Sequence, residues 1–182
     1  MSTPHPHPLT PPDFEVMISA EEIQRRVKEL GAQITKDYAG EEIVLVGVLK
    51  GCLLFMADLA REIHLPVTLD FLRLASYEGQ KSTGIVRFDF DLTQSIAGKH
   101  VLIVEDIVDT GLTMTYLLET LHVRHPKSLK LCTLLDKPSG RRKHVDVHYT
   151  GFTIPGRFVI GYGLDLDGLY RNLPFIGAKR GS

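Results

Sequence analysis

The chain has 182 residues, room for one sizeable domain and not for two. Hydrophobic residues make up 43% and charged residues 24%, with a formal net charge of −1; this is an ordinary soluble globular composition, with no global basic excess to advertise nucleic-acid binding. No apolar run approaches the roughly 20 residues of a membrane span, and the two cysteines, Cys52 and Cys132, lie in apolar contexts that suit buried thiols in a reducing cytoplasm.

Residues 1–12 hold five of the ten prolines and no apolar signal segment, which predicts a disordered tail ahead of one domain over 13–182. Ser19 with Glu22 three residues on has the form of a capping box, and Ile23, Val27, Leu30 and Ile34 recur at helical spacing, so a helix is expected over about 19–37. IVLVGVL at 43–49 is a continuous apolar run, a strand buried on both faces. Lys50-Gly51 breaks it, and CLLFMADLAREI at 52–63 reads as a helix. VTLDFLRL at 67–74 is another strand, and ASYEGQKSTG at 75–84 a polar, glycine-bearing loop. GIVRFDFDL at 84–92 alternates with period two, the mark of a half-exposed antiparallel edge. VLIV at 101–104 and LKLCTLL at 129–135 are buried strands separated by a helix over 113–123. Shorter strands are expected at VDVHYT and FVIGYG.

Alternating strands and helices predict an α/β fold on a mostly parallel sheet, where ligands sit beyond the carboxyl ends of the strands. That rule selects Lys50-Gly51, Glu105 to Thr113, Lys137 to Arg142, and the segment after 158–163.

VLIVEDIVDTGLTM at 101–114 crowds three acids at the end of a buried strand, where they repel one another and lose solvation. A helix N-terminus accounts for Asp109 and Thr110 as caps, but not for Glu105 and Asp106. The Asp109-Thr110-Gly111 tripeptide also occurs in aspartic proteases, though here it leads into a helix within an α/β pattern. A phosphorylated sugar accounts for all of it. Backbone N–H groups and hydroxyls from Thr110 to Thr113 meet the phosphate, and the acids meet sugar hydroxyls and any attached magnesium.

The strand followed by Glu105-Asp106, Ile107-Val108, Asp109-Thr110-Gly111 and Thr113 resembles the 5-phosphoribosyl-1-pyrophosphate (PRPP) motif of the type I phosphoribosyltransferases. VGVLKGCLLFMADLAREI, LRLASYEG, LLDKPSGRR and FVIGYGLDLDGLYRNLPFIG resemble, in order, segments of the hypoxanthine-guanine branch of that family, from about 14 to 178. The resemblance implies a central, mostly parallel twisted sheet flanked by helices, a small hood and a flexible antiparallel lid. It implies purine salvage, with ribose 5-phosphate passing from PRPP to N9 of hypoxanthine or guanine to give IMP or GMP and pyrophosphate.

By the same resemblance, Glu105 and Asp106 hold the ribose hydroxyls directly or through Mg2+, and Asp109 takes the N7 proton. Crowding and partial desolvation are expected to raise the basicity of Asp109. Thr110, Gly111 and Thr113 cradle the 5-phosphate, with Leu112 where some members carry lysine. Lys50 and Gly51 bind pyrophosphate beside a cis peptide at Leu49–Lys50. Lys137 donates to O6 of the purine, a contact the amino group of adenine cannot accept. Phe158 stacks on the base and Val159 offers backbone groups to its pyrimidine edge. Asp165 holds a second magnesium, Arg171 pairs with pyrophosphate, and Ser76-Tyr77 opens the lid.

The same resemblance implies a homodimer or homotetramer in the cytoplasm, with no membrane or nucleic-acid partner. An RNA-binding regulator on the same fold is the rival of another class; the basic cluster it would use is Arg141 to Lys143, with Lys179-Arg180 behind it.

Overall fold

The structure, a computed structural model, describes residues 9–76 and 86–181. Most of the expected 1–12 tail lies outside the described residues, as does Tyr77 with the loop that follows it. Elements run in the order β1 (Phe14–Ile18), α1 (Ala20–Asp37), β2 (Ile43–Val48), α2 (Leu53–Glu62), β3 (Val67–Ser76), β4 (Val86–Phe90), β5 (His100–Val108), α3 (Leu112–His122), β6 (Ser128–Asp136), β7 (Tyr149–Thr153), β8 (Val159–Ile160) and β9 (Ile176–Lys179).

Six strands form the main sheet in the order β4-β3-β2-β5-β6-β7. All its neighbours are parallel except β3 and β4, so the period-two segment is indeed an antiparallel edge. Alternation within the apolar runs sorts the core into two layers. Ile43, Leu45, Leu102 and Val104 pack towards α1 and α2. Val44, Val46, Val101 and Ile103 pack with Met114, Leu117 and Leu121 of α3. Helix α1 begins at the predicted capping box, where the Ser19 hydroxyl accepts from Glu22 N–H at 3.2 Å and Glu22 returns the bond to Ser19 N–H at 2.8 Å. Its buried face includes Ile23, Val27, Leu30 and Ile34, as the spacing predicted.

The small hood that the resemblance implied is a second sheet, in the order β1-β9-β8, of which the local pattern had shown only β8. The short strand expected in FVIGYG belongs to it and ends after Ile160, because Gly161, Tyr162 and Gly163 all take positive φ. The fourth ligand loop therefore comes from this small sheet and not from a parallel strand. The strand expected at VDVHYT begins later, at Tyr149, where it meets Cys132 of β6. No helix among the described residues is long and apolar enough to cross a membrane.

Candidate active site

Strand β5 runs through both acids to Val108, further than its apolar core suggests. Pairing with β6 carries it, from Glu105 beside Thr133 to Val108 beside Asp136. Glu105 therefore sits inside the sheet, and its Oε2 is buried without a hydrogen-bond partner among the described residues. Asp106 is 9% exposed, and its Oδ1 accepts from Ile107 N–H at 2.7 Å. Burial and the adjacent Asp106 carboxylate push Glu105 well above the usual carboxylate range. Burial raises Asp106 as well, against the opposing pull of its hydrogen bonds and of the Arg171 cation. Burial and then the charges of both acids push the Cys52 thiol far up, which leaves it inert as a nucleophile.

Asp106 is pressed against the turn that follows β2. A Cβ on Gly51 would fall 1.5 Å from Asp106 Oδ2, so only glycine fits there. The Leu49–Lys50 peptide is cis, as the resemblance implied, and Lys50 is exposed. The hood loop closes on the same turn: a Cβ on Gly163 would lie 2.0 Å from the Gly51 carbonyl oxygen. Arg171 Nη1 donates to Gly163 O at 2.6 Å and its Nη2 pairs with Asp165 Oδ1 at 2.6 Å. Asp165 Oδ2 accepts from Gly168 N–H at 2.8 Å. Tyr162 anchors the loop from below, its hydroxyl donating to Asp58 Oδ2 of α2 at 2.5 Å.

Asp109 departs from expectation. Its side chain is 41% exposed, more open than foreseen, and Lys137 Nζ donates to its Oδ2 at 2.8 Å. The desolvation foreseen for Asp109 falls on Glu105 and Asp106, because β5 continues through them and Asp109 lies beyond its end. Asp109 is not the helix cap either. Gly111 is the N-cap of α3, with φ +80° and no side-chain bond. Thr110 Oγ1 receives Leu112 N–H at 3.4 Å. Glu105, Asp109, Thr110, Gly111 and Thr113 together line a cavity of about 160 Å³ at the start of α3. Roomier cavities of about 550 and 650 Å³ exist, but none of these acids lines either one.

Phe158 is 45% exposed, with its ring edge-on to Phe14 at a centroid distance of 6.3 Å; it is no core residue. Val159 pairs with Ala178, and the flanking bond from Lys179 N–H to Phe158 O at 2.9 Å fixes the alternation. That alternation turns the N–H and C=O of Val159 away from β9, towards the open edge of the small sheet. Ser76 ends β3. Arg141, which the sequence offered only as part of a basic cluster, is turned inward, its side chain 18% exposed against Asp136.

A family model described as a phosphoribosyl transferase domain matches residues 19–167. The chain belongs to the phosphoribosyltransferase family. Among phosphoribosyltransferases, a protein of Mycobacterium avium named hypoxanthine-guanine phosphoribosyltransferase is 48% identical over 180 residues, 94% of this chain and 89% of its own. One of Escherichia coli K12, named hypoxanthine phosphoribosyltransferase, is 51% identical over 166 residues, 90% of this chain and 93% of its own. The crystal structure of a hypoxanthine phosphoribosyltransferase from Staphylococcus aureus superposes with a TM-score of 0.87 at 48% identity, covering 91% of each chain.

Proposed function

We propose that the chain is a hypoxanthine-guanine phosphoribosyltransferase that joins PRPP to N9 of a 6-oxopurine, giving IMP or GMP and pyrophosphate. The observation that carries this reading is the ion pair of Lys137 and Asp109, 2.8 Å apart beyond the carboxyl ends of adjacent strands. A cation and a carboxylate side by side complement a base edge with an acceptor at O6 and a proton at N7. The bond from C1 of the ribose to pyrophosphate breaks and the leaving group keeps the electron pair. The N9 lone pair forms the new bond, and Asp109 receives the N7 proton.

Thr110, Gly111 and Thr113 receive the 5-phosphate at the start of α3, where backbone N–H groups point outward. Lys50, Gly51 and Arg171 receive pyrophosphate on the turn shared by the two sheets. Phe158 stacks on the base, Val159 offers backbone groups, and Ser76 and Tyr77 contribute to substrate binding. Glu105 and Asp106 take the ribose hydroxyls, which are donors and so supply partners for a buried carboxylate oxygen that has none among the described residues.

The same donor set suits Mg2+. Among the described residues no group of three His, Cys, Asp or Glu could hold a metal alone, and this ion commonly takes one or two carboxylates together with substrate oxygens and water. Glu105 and Asp106 would hold one such ion and Asp165 a second, and when bound they would offset charge on the departing pyrophosphate. The reading extends to a cytoplasmic homodimer or homotetramer without nucleic-acid or membrane partners; the inward turn of Arg141 removes one cation from the cluster that RNA would need.

The test is formation of nucleoside monophosphate from PRPP and Mg2+ with hypoxanthine, guanine, xanthine, adenine or uracil offered separately. Turnover of hypoxanthine and guanine, with adenine untouched and no product in chelator, is expected. Dominant use of xanthine would overturn the base assignment, and no turnover of any base would overturn the enzyme reading.

A further inference from the structure

Asp109 lies one residue past the end of β5, where ladder bonds no longer fix the backbone. Three consecutive carbonyls at this point are tied instead to the loop after β6. Val108 O accepts Lys137 N–H at 3.0 Å, and Thr110 O accepts Arg142 and Lys143 N–H at 2.8 and 3.0 Å. The middle carbonyl, that of Asp109, is held by a side chain: Arg141 Nε donates to it at 2.9 Å. The same guanidinium reaches Val108 O through Nη2 at 3.2 Å and pairs with the Asp136 carboxylate through that nitrogen. One planar fork thus spans the ends of both strands and the residue between them. The carboxylate of Asp109 rests against the same loop, since a Cβ on Gly140 would fall 2.0 Å from its Oδ1.

We propose that Arg141 is a positioning residue for Asp109, fixing its main chain so that the carboxylate meets the N7 proton of the bound base. The inference rests on the reading of Asp109 as the group that takes that proton. Arg141 touches no reacting atom; it acts only through the backbone it grips. An ammonium cannot reproduce the contact, because a single nitrogen cannot reach Asp109 O, Val108 O and Asp136 along the directions the fork covers. Charge alone is therefore insufficient, and lysine at 141 should fold and still fail.

The full-length protein is compared with Arg141→Lys, Arg141→Met, Asp109→Asn and the double variant Arg141→Met with Asp109→Asn, by steady-state kinetics and thermal melting. A displaced catalytic group can cost about a hundredfold in rate. Both Arg141 variants are expected to lose roughly that much in kcat, with KM for PRPP changed by less than about threefold. Once Asp109 is replaced, Arg141→Met should cost nothing further, the non-additivity of two residues acting as a unit. Arg141→Lys keeps the ion pair to Asp136 and carries the test if the methionine variant does not fold.

Wild-type rates in Arg141→Lys, or an equal Arg141→Met loss with and without Asp109, would overturn the inference alone. Full activity in Asp109→Asn would overturn the role of Asp109, and this inference with it.

Discussion

Glu105→Gln should make the protein more stable and disable it. Glu105 carries a buried oxygen with no hydrogen-bond partner among the described residues, beside the buried Asp106. Glutamine removes one of the two like charges and places an amide donor next to Asp106. An unsatisfied buried group costs on the order of 1–3 kcal/mol, and more when charged. In a domain of this size each kcal/mol moves Tm by roughly 2–4 °C, so a rise of about 3–10 °C is expected. The sign depends on pH. The raised Glu105 binds its proton more tightly in the folded than in the unfolded chain. Its stabilising contribution is therefore complete below the unfolded carboxyl value and is lost as pH rises towards the folded one. Glutamine does not titrate, so its advantage should be absent near pH 4 and present near pH 8. Calorimetric melts of both proteins in chelator at those two pH values measure it, alongside PRPP turnover, expected to fall about a hundredfold. An equal Tm difference at both pH values, or a less stable variant at the higher one, would refute the reasoning.

Gly51→Ala puts a Cβ 1.5 Å from Asp106 Oδ2; the carboxylate must turn away, and KM for PRPP should rise about tenfold or more at a stability cost of roughly 1–3 kcal/mol. Lys137→Met removes a charged donor worth about 1.5–3 kcal/mol, so kcat/KM for hypoxanthine should fall roughly 10- to 150-fold. Its preference over adenine should narrow in a competition assay. Phe158→Leu forfeits ring stacking of about 1–3 kcal/mol, which should raise KM for the base while leaving KM for PRPP in place. Ser19→Ala breaks the capping box and should lower Tm by a few degrees, about 1 kcal/mol, with kinetics unchanged.

Where the sequence carries an uninterrupted physical signal, the structure follows it. The capping box and the apolar spacing of α1 reappear residue for residue, and the period-two alternation becomes, over Val86–Phe90, the antiparallel edge. The acidic turn was legible because acids after an apolar run demand an explanation. What escaped was set by partners distant in sequence. FEVMI and IGAK are strands because each finds the other, and neither is long enough to announce itself. Val108 belongs to β5 because Asp136 lies opposite, which no local pattern encodes. Asp109 looked desolvated among its sequence neighbours, yet beyond the end of β5 its side chain is 41% exposed. Arg141 was hidden for a related reason: its acceptors are backbone carbonyls some 32 positions away, and carbonyls have no letter.

The small sheet imposes an order of events on the chain. Its central strand is β9, and both β1 and β8 are hydrogen-bonded to it and not to each other. A ribosome that has released β1 must therefore add more than 150 further residues before Ile176–Lys179 arrives to receive it. Until then Phe14 lacks its place, Phe158 lacks the ring that backs it, and the edge proposed to meet the base has no fixed backbone. Such long-range closure is slow relative to local helix formation. The large sheet can condense as its strands emerge, whereas the small sheet waits for its closing element, so on the proposed reading a nascent chain holds its phosphate cradle well before it can hold a base.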